Sequence, residues 1–303
     1  MENINNQMNE FSTINLGWRA FQILKNTSHW VVWGNTSKGL FLKGKPEGLI
    51  FLSYENFRGP LTVNLAQDIF HYLEGLEIGS TVDFNLDTGL IFEKTNLRLI
   101  IDNQFLWQPE PFIPASGGMN IWNNLNVLTG WLKAATPTGS FGHTSSFVVS
   151  EETSNGKEQT RLILILRDLF EGLKEYNFQR FYQSAQKLIG LGAGLTPSGD
   201  DFLAGMGLAI ARYSKEVPIL KRCIPWFDAL IPLFKERTTI LSSELFKVSL
   251  LGSADERLIG AFDAVMRINM TKEDVIPAIS SWGSSSGFDA LSGFYFLMKA
   301  IQP

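Results

Sequence analysis

Thr81-Val82-Asp83-Phe84-Asn85-Leu86-Asp87 alternates apolar and polar side chains without a break. Val82, Phe84 and Leu86 fall on one face and Asp83, Asn85 and Asp87 on the other, which is the period of a half-buried strand. Around it lie the short apolar runs Trp30-Val31-Val32-Trp33, Gly39-Leu40-Phe41-Leu42, Gly48–Leu52, Leu90-Ile91-Phe92 and Leu97–Ile101, separated by Gly, Asn, Ser or Pro. Strands this short and this closely spaced predict a barrel or a sandwich. A different period takes over after about residue 168. Phe178, Phe181, Tyr182, Ala185, Leu188 and Ile189 recur at the spacing of one buried helical face. Further helices are expected over Phe202–Tyr213, Pro225–Leu251, Asp255–Met270 and from about Ser286 to Ala300. The expected fold is therefore α+β, an N-terminal β-rich barrel or sandwich followed by a C-terminal helical domain.

Pro109, Pro111, Pro114 and Gly117-Gly118 interrupt the strand pattern. The expected division is a β-rich domain over 1–115, a connecting segment over 116–167 and a helical domain over 168–303. Within the connecting segment Asn120–Ala135 reads as a helix and Thr136–His143 as a Gly/Pro loop. Glu151–Gln159 reads as a polar stretch with an exposed Asn155-Gly156 turn. Leu162–Leu166 fits a strand or a helix equally well, because the run is too short for periodicity to decide.

The 303 residues carry 45% hydrophobic and 18% charged side chains and a net charge of −4, so a general nucleic-acid phosphate binder is not expected. Cys223 is the single cysteine, which excludes a disulfide within the chain and a multi-cysteine metal site. Met1–Phe11 lacks a basic start followed by an apolar run, and no stretch of about 18 apolar residues occurs. The expectation is a cytoplasmic protein with no membrane span.

The chemistry concentrates in Leu191-Gly192-Ala193-Gly194-Leu195-Thr196-Pro197-Ser198-Gly199-Asp200-Asp201-Phe202-Leu203-Ala204-Gly205. Its last eight residues are echoed by Ser286-Gly287-Phe288-Asp289-Ala290-Leu291-Ser292-Gly293, with five of eight positions identical. Both copies stand where a glycine-rich loop enters an apolar helix. The first N–H groups of a helix have no intrahelical partner and attract negative charge, and glycine lets a ligand approach the backbone. Two such ends facing one cleft would grip a small anion. The competing reading is that Ser198/Asp201 and Ser286/Asp289 are only helix caps of the Ser-x-x-Asp kind, like Ser253-x-x-Glu256 and Thr271-x-x-Asp274 elsewhere in the chain. A Walker loop is rejected because Asp200-Asp201 stand where Lys-Ser/Thr belongs, and the dinucleotide fingerprint lacks its third glycine.

The candidate set follows from this device. Gly192, Gly194, Thr196, Ser198 and Gly199 shape an anion pocket, and Asp200 or Asp201 orients the substrate or moves a proton. Ser286, Gly287 and Asp289 form the opposite wall, with Arg237, Thr239 and Ser242 nearby. Arg237 offers a bidentate anion clamp, although small-residue packing between helices explains the Thr238, Ser242 and Ser249 stripe equally well. His143 sits on the expected loop as a possible general base. No His/carboxylate spacing resembles a transition-metal motif and the sequence points to no certain cofactor, while the carboxylates leave Mg²⁺ open.

Residues 188–205 resemble the signature of the AllH-like family, which includes a subunit of oxamate carbamoyltransferase. Arg237-Thr238-Thr239 followed by Ser242, and Ser286-Gly287 followed by Asp289, resemble the later parts of its pattern; Ala193 stands where members often carry Pro. The resemblance implies that oxalurate and phosphate are converted to oxamate and carbamoyl phosphate, in the anaerobic use of purine-derived nitrogen. It also implies a hetero-oligomeric transferase in which this chain works with two other kinds of subunit. A non-catalytic subunit that binds a small carboxylate or serves assembly stays open beside it, as does, more weakly, a metal-dependent hydrolase using Asp200, Asp201 and Asp289.

Overall fold

The computed structural model describes residues 8–45, 48–114, 118–137, 140–150 and 161–303. The expected Asn155-Gly156 turn lies outside them. The chain forms two compact units, Met1–Gln108 and Pro109–Pro303.

The first unit is built on β1 (Asn9–Ser12), β2 (Asn15–Gly17), β3 (His29–Thr36), β4 (Gly39–Lys45), β5 (Gly48–Ser53), β6 (Thr62–Asn64), β7 (Thr81–Asn85), β8 (Gly89–Phe92), β9 (Leu97–Ile100) and β10 (Leu106–Trp107). They join in one curled sheet of order β1-β9-β8-β7-β3-β4-β5-β6-β2-β10, a half-barrel as the strand spacing predicts. One N-terminal segment serves both ends of the sheet. β1 pairs with β9 while β2 pairs with β6 and β10, and between them the Thr13 amide donates to Ile100 O and the Ile14 amide to Asn64 O. α1 (Trp18–Lys25) buries Ala20, Ile23 and Leu24, and α2 (Phe70–Leu73) is a single turn. The alternation that begins at Thr81 stops at Asn85. The Asn85 side chain accepts the Asp87 amide and turns the chain, which leaves Leu86 58% exposed rather than on the buried face.

The second unit is helical. In chain order it holds α3 (Ile121–Ala135), α4 (Phe141–Val149), α5 (Arg161–Lys174), α6 (Phe178–Leu188), α7 (Ser198–Tyr213), α8 (Ile224–Asp228), α9 (Ile231–Arg237), α10 (Ile240–Ser249), α11 (Glu256–Met266), α12 (Lys272–Ser280) and α13 (Ser286–Ala300). Leu162–Leu166 is thus helical. His143 lies in the first turn of α4 and not on a loop, because the Ser140 hydroxyl accepts its amide and starts a helix there. Pro225–Leu251 is not one helix. It breaks between α8 and α9 and again at Thr238, whose extended backbone separates α9 from α10, although no Pro or Gly stands at Thr238.

α13 is apolar on all sides from Ala290 to Met298 and sits at the centre, packed on α3, α4, α5, α7, α11 and α12. Its closest partner is α7, and the approach is reciprocal. A Cβ on Gly205 would lie 1.9 Å from Ala290 O, and a Cβ on Gly293 would lie 1.8 Å from Phe202 O. These are matching positions in the two copies of the repeated octapeptide. The helices can touch backbone to backbone only because both positions are glycine.

This contact is directly testable. Gly205→Ala forces the helices apart and is expected to cost about 1–3 kcal/mol or more in a denaturant melt. Gly260→Ala is the control, since a Cβ there meets nothing within 4 Å and the helix gains about 0.4–1 kcal/mol. Equal effects of the two substitutions would contradict the backbone contact.

Candidate functional site

α6 ends at Leu188, and the nine residues before Ser198 turn the chain into α7 through three glycines of positive φ, Gly190 (76°), Gly192 (127°) and Gly194 (95°). Only glycine takes these conformations without strain. Leu191, Gly192, Ala193, Gly194 and Leu195 are all exposed. Gly199 is fixed by contact, since a Cβ there would lie 2.1 Å from Leu188 O; in the second copy a Cβ on Gly287 would lie 2.1 Å from Ile279 O, on the helix before it.

Asp200 clasps this loop. One carboxylate oxygen accepts the Gly190 amide at 2.8 Å and the other accepts the Thr238 hydroxyl. Thr239 adds a second strap by donating to Leu195 O at 2.6 Å while it caps α10 by accepting the Ser242 amide at 3.0 Å. The hydroxyls of Thr238 and Thr239 are therefore committed to the glycine segment, which is why α9 and α10 separate between them. Ser242 is buried beside Asp200 without closing a hydrogen bond through its own hydroxyl. The Arg237 side chain is exposed at the end of α9, and its carbonyl packs against Gly190.

Asp201 faces the other way, and here the two octapeptide copies meet. Asp201 is 3% exposed and Asp289 2%. The Ser286 hydroxyl lies against Asp201, and the Ser198 hydroxyl lies against Asp289, again at matching positions. Thr196 joins the first cluster through a 2.9 Å contact between its hydroxyl and that of Ser286, and Ser285 joins the second. Neither Ser198 nor Ser286 caps its own helix. The residues at the cap positions are Pro197 and Ser285, with no side-chain cap bond at either. Thr271 and Asp274, by contrast, make a complete capping box. The Oδ2 atoms of Asp201 and Asp289 are both buried without a hydrogen-bond partner.

Several first-turn amides are satisfied by the protein. Gly199 N donates to Leu191 O, Asp200 N and Asp201 N to Pro197 O, Gly287 N to Trp282 O and Asp289 N to Ser285 O. Among the described residues no group of three or more His, Cys, Asp or Glu side chains is placed to hold a metal ion. Two clefts of the helical unit, of about 260 and 360 Å³, lie elsewhere: Phe227 and Leu250 help line one, Trp122 and Glu216 the other. Burial pushes the Cys223 thiol up to about 11, which leaves it inert at neutral pH. Among the described residues no helix is long and apolar enough to cross a membrane.

The carboxyl pair is electrostatically unequal. Burial raises Asp289 from 3.8 to about 6, against the opposing help of Ser198 and Ser285. Burial pushes Asp201 well above the ordinary carboxylate range, and the charge of Asp289 pushes it further. Asp289 thus loses its proton near about 6, and Asp201 keeps its own to higher pH than an ordinary carboxyl does. A buried acid–base pair of this kind separates donor from acceptor by environment alone.

Asp289 makes a pH prediction. Its folded-state pKa is raised, so the folded protein keeps a proton that the unfolded chain has released between about pH 4 and 6. That contribution to stability is fully present below the unfolded value of 3.8 and is lost as pH rises through about 6. It amounts to about 3 kcal/mol. Asp289→Asn is expected to flatten the wild-type loss of stability over this window in urea melts at stepped pH. Parallel pH profiles for the two proteins would contradict the shift.

No curated protein and no solved structure matches the chain. Residues 188–298 match the family model described as oxamate carbamoyltransferase subunit AllH, so the resemblance carried by the glycine segment extends through the second Ser-Gly-x-Asp copy and most of α13.

Proposed function

We propose that this chain is a subunit of a multi-chain carbamoyltransferase acting on a small anionic carbamoyl compound of the oxalurate, oxamate and carbamoyl phosphate type. The observation that carries the reading is the meeting of the two copies, within the family-matched segment, around the Asp201–Asp289 pair. The partners are the other subunits of the transferase.

In the reaction a phosphate oxygen bonds to the carbamoyl carbon. The bond from that carbon to the nitrogen shared with the oxamate part breaks, and the nitrogen gains one proton. The products are carbamoyl phosphate and oxamate. Asp201, whose protonated form is favoured by burial, supplies that proton, and in the reverse direction it takes the proton back. Ionised Asp289 accepts the N–H that the nitrogen already carries. Gly192 and Gly194 take positive φ on either side of Ala193, a backbone that suits an anion, while the Gly190 and Leu191 amides are spent on Asp200 and on Leu188 O. Gly192, Gly194, Thr196, Ser198 and Gly199 would form this anion wall, with Ser286 and Gly287 opposite. Asp200, Thr239 and Ser242 keep the loop in place, and Arg237 contributes charge at the rim.

The second reading is a non-catalytic small-carboxylate-binding or assembly subunit. The deep burial of both carboxyls favours it, because the same contacts also lock α7 to α13. The chain co-expressed with its partner subunits separates the two readings. Asp201→Asn is expected to lower phosphate-dependent release of carbamoyl phosphate by at least about 100-fold while the complex still assembles. Assembly with activity within about twofold of wild type would leave the assembly reading in place.

A further inference from the structure

We infer that the Asp201–Asp289 pair is the receptor for a primary amide NH₂, and that it selects an amide over the carboxylate of the same size. The inference rests on the carbamoyl-transfer reading above and names what the pair recognises. Two buried acceptor atoms, Asp201 Oδ2 and Asp289 Oδ2, have no partner, and they occupy matching positions in the two copies. Hydroxyls lie beside both carboxyls, those of Ser286 and Thr196 at Asp201 and those of Ser198 and Ser285 at Asp289. None of them closes a hydrogen bond to either Oδ2.

The chemistry of the missing group is narrow. A metal ion is a poor fit, since among the described residues no third His, Cys, Asp or Glu joins the pair. A carboxylate or phosphate presents only acceptors and is repelled by Asp289. A planar NH₂ carries two N–H bonds that diverge from one nitrogen, which suits two acceptors on opposed helices. The reaction generates this group. Before transfer the nitrogen offers one N–H to Asp289 and its lone pair to the protonated Asp201. After the proton moves, it offers an N–H to each. Thr196, half-buried and bonded to Ser286, links the pair to the exposed loop 191–195, so the ligand enters by displacing that hydroxyl contact.

Oxamate and oxalate differ by exchange of NH₂ for oxygen and therefore test the inference on the wild-type full chain, with no variant needed. Calorimetry is expected to show oxamate binding at least about 100-fold more tightly than oxalate, because a site built around N–H donors leaves its acceptors unpaired against the analogue. Asp289→Asn and Asp201→Asn are each expected to shrink that ratio to within about tenfold, with folding checked by circular dichroism. Equal binding of oxalate and oxamate, or no binding of oxamate, would overturn the inference. So would ammonium chloride protecting the fold as well as oxamate does, which would mark a cation site. The transfer assay is read separately. Amide selectivity without transfer removes the transferase reading and keeps this one, and transfer without amide selectivity does the reverse.

Discussion

Everything in the helical unit depends on α7 and α13 touching backbone to backbone at Gly205 and Gly293. A Cβ at either position would overlap a carbonyl of the facing helix. Because the crossing is so close, the residues one and two turns earlier on each helix are brought together as well. Ser198 reaches Asp289 and Ser286 reaches Asp201. The repeated octapeptide is thus a packing device and a polar device at once: its glycine sets the distance and its Ser-Gly-x-Asp supplies the chemistry.

The cost of this arrangement is two carboxyls under two buried helix ends. A charge taken out of water is expensive unless it is neutralised or fully hydrogen-bonded. The protein meets that constraint unequally. Asp289 titrates near about 6, and Asp201 keeps its proton longer because burial raises it further and because the charge of Asp289 adds to that burial. Asp200, next in sequence to Asp201, has neither role. Adjacent helical residues point about 100° apart, and Asp200 spends its two oxygens on Gly190 and Thr238. Two neighbouring aspartates therefore do different work, one tying the loop and one building the pair.

Much of this was legible from sequence, and the misses have physical causes. The strands were visible because β3, β4, β5, β7, β8 and β9 carry apolar runs or alternation, whereas β1, β2, β6 and β10 are two to four residues long and have no period to read. The octapeptide echo located the site, since identical residues at identical spacing in front of two apolar helices do not need a fold to be seen. Whether the copies meet is a long-range fact, and local pattern is silent on it. The break at Thr238 was missed because its cause is equally remote, a hydroxyl donated to Asp200 across 38 residues. The Thr239-x-x-Ser242 spacing before an apolar helix was the signal that a cap starts there. His143 reads as a loop residue because Pro137, Gly139 and Gly142 outweigh the Ser140 cap locally, whereas that cap starts α4.

The central claim is that Asp201 and Asp289 form one coupled buried pair in which both carboxyls hold their protons above the ordinary range. The most direct measurement is a ¹³C NMR titration of aspartate side-chain carboxyls in the wild type and in Asp289→Asn. The account predicts that Asp289 titrates near about 6, that its resonance is absent from the variant, and that Asp201 titrates above it and moves down once Asp289 is replaced. Two carboxyls that titrate in the ordinary range near 3.8, with Asp201 unmoved by the substitution, would contradict it.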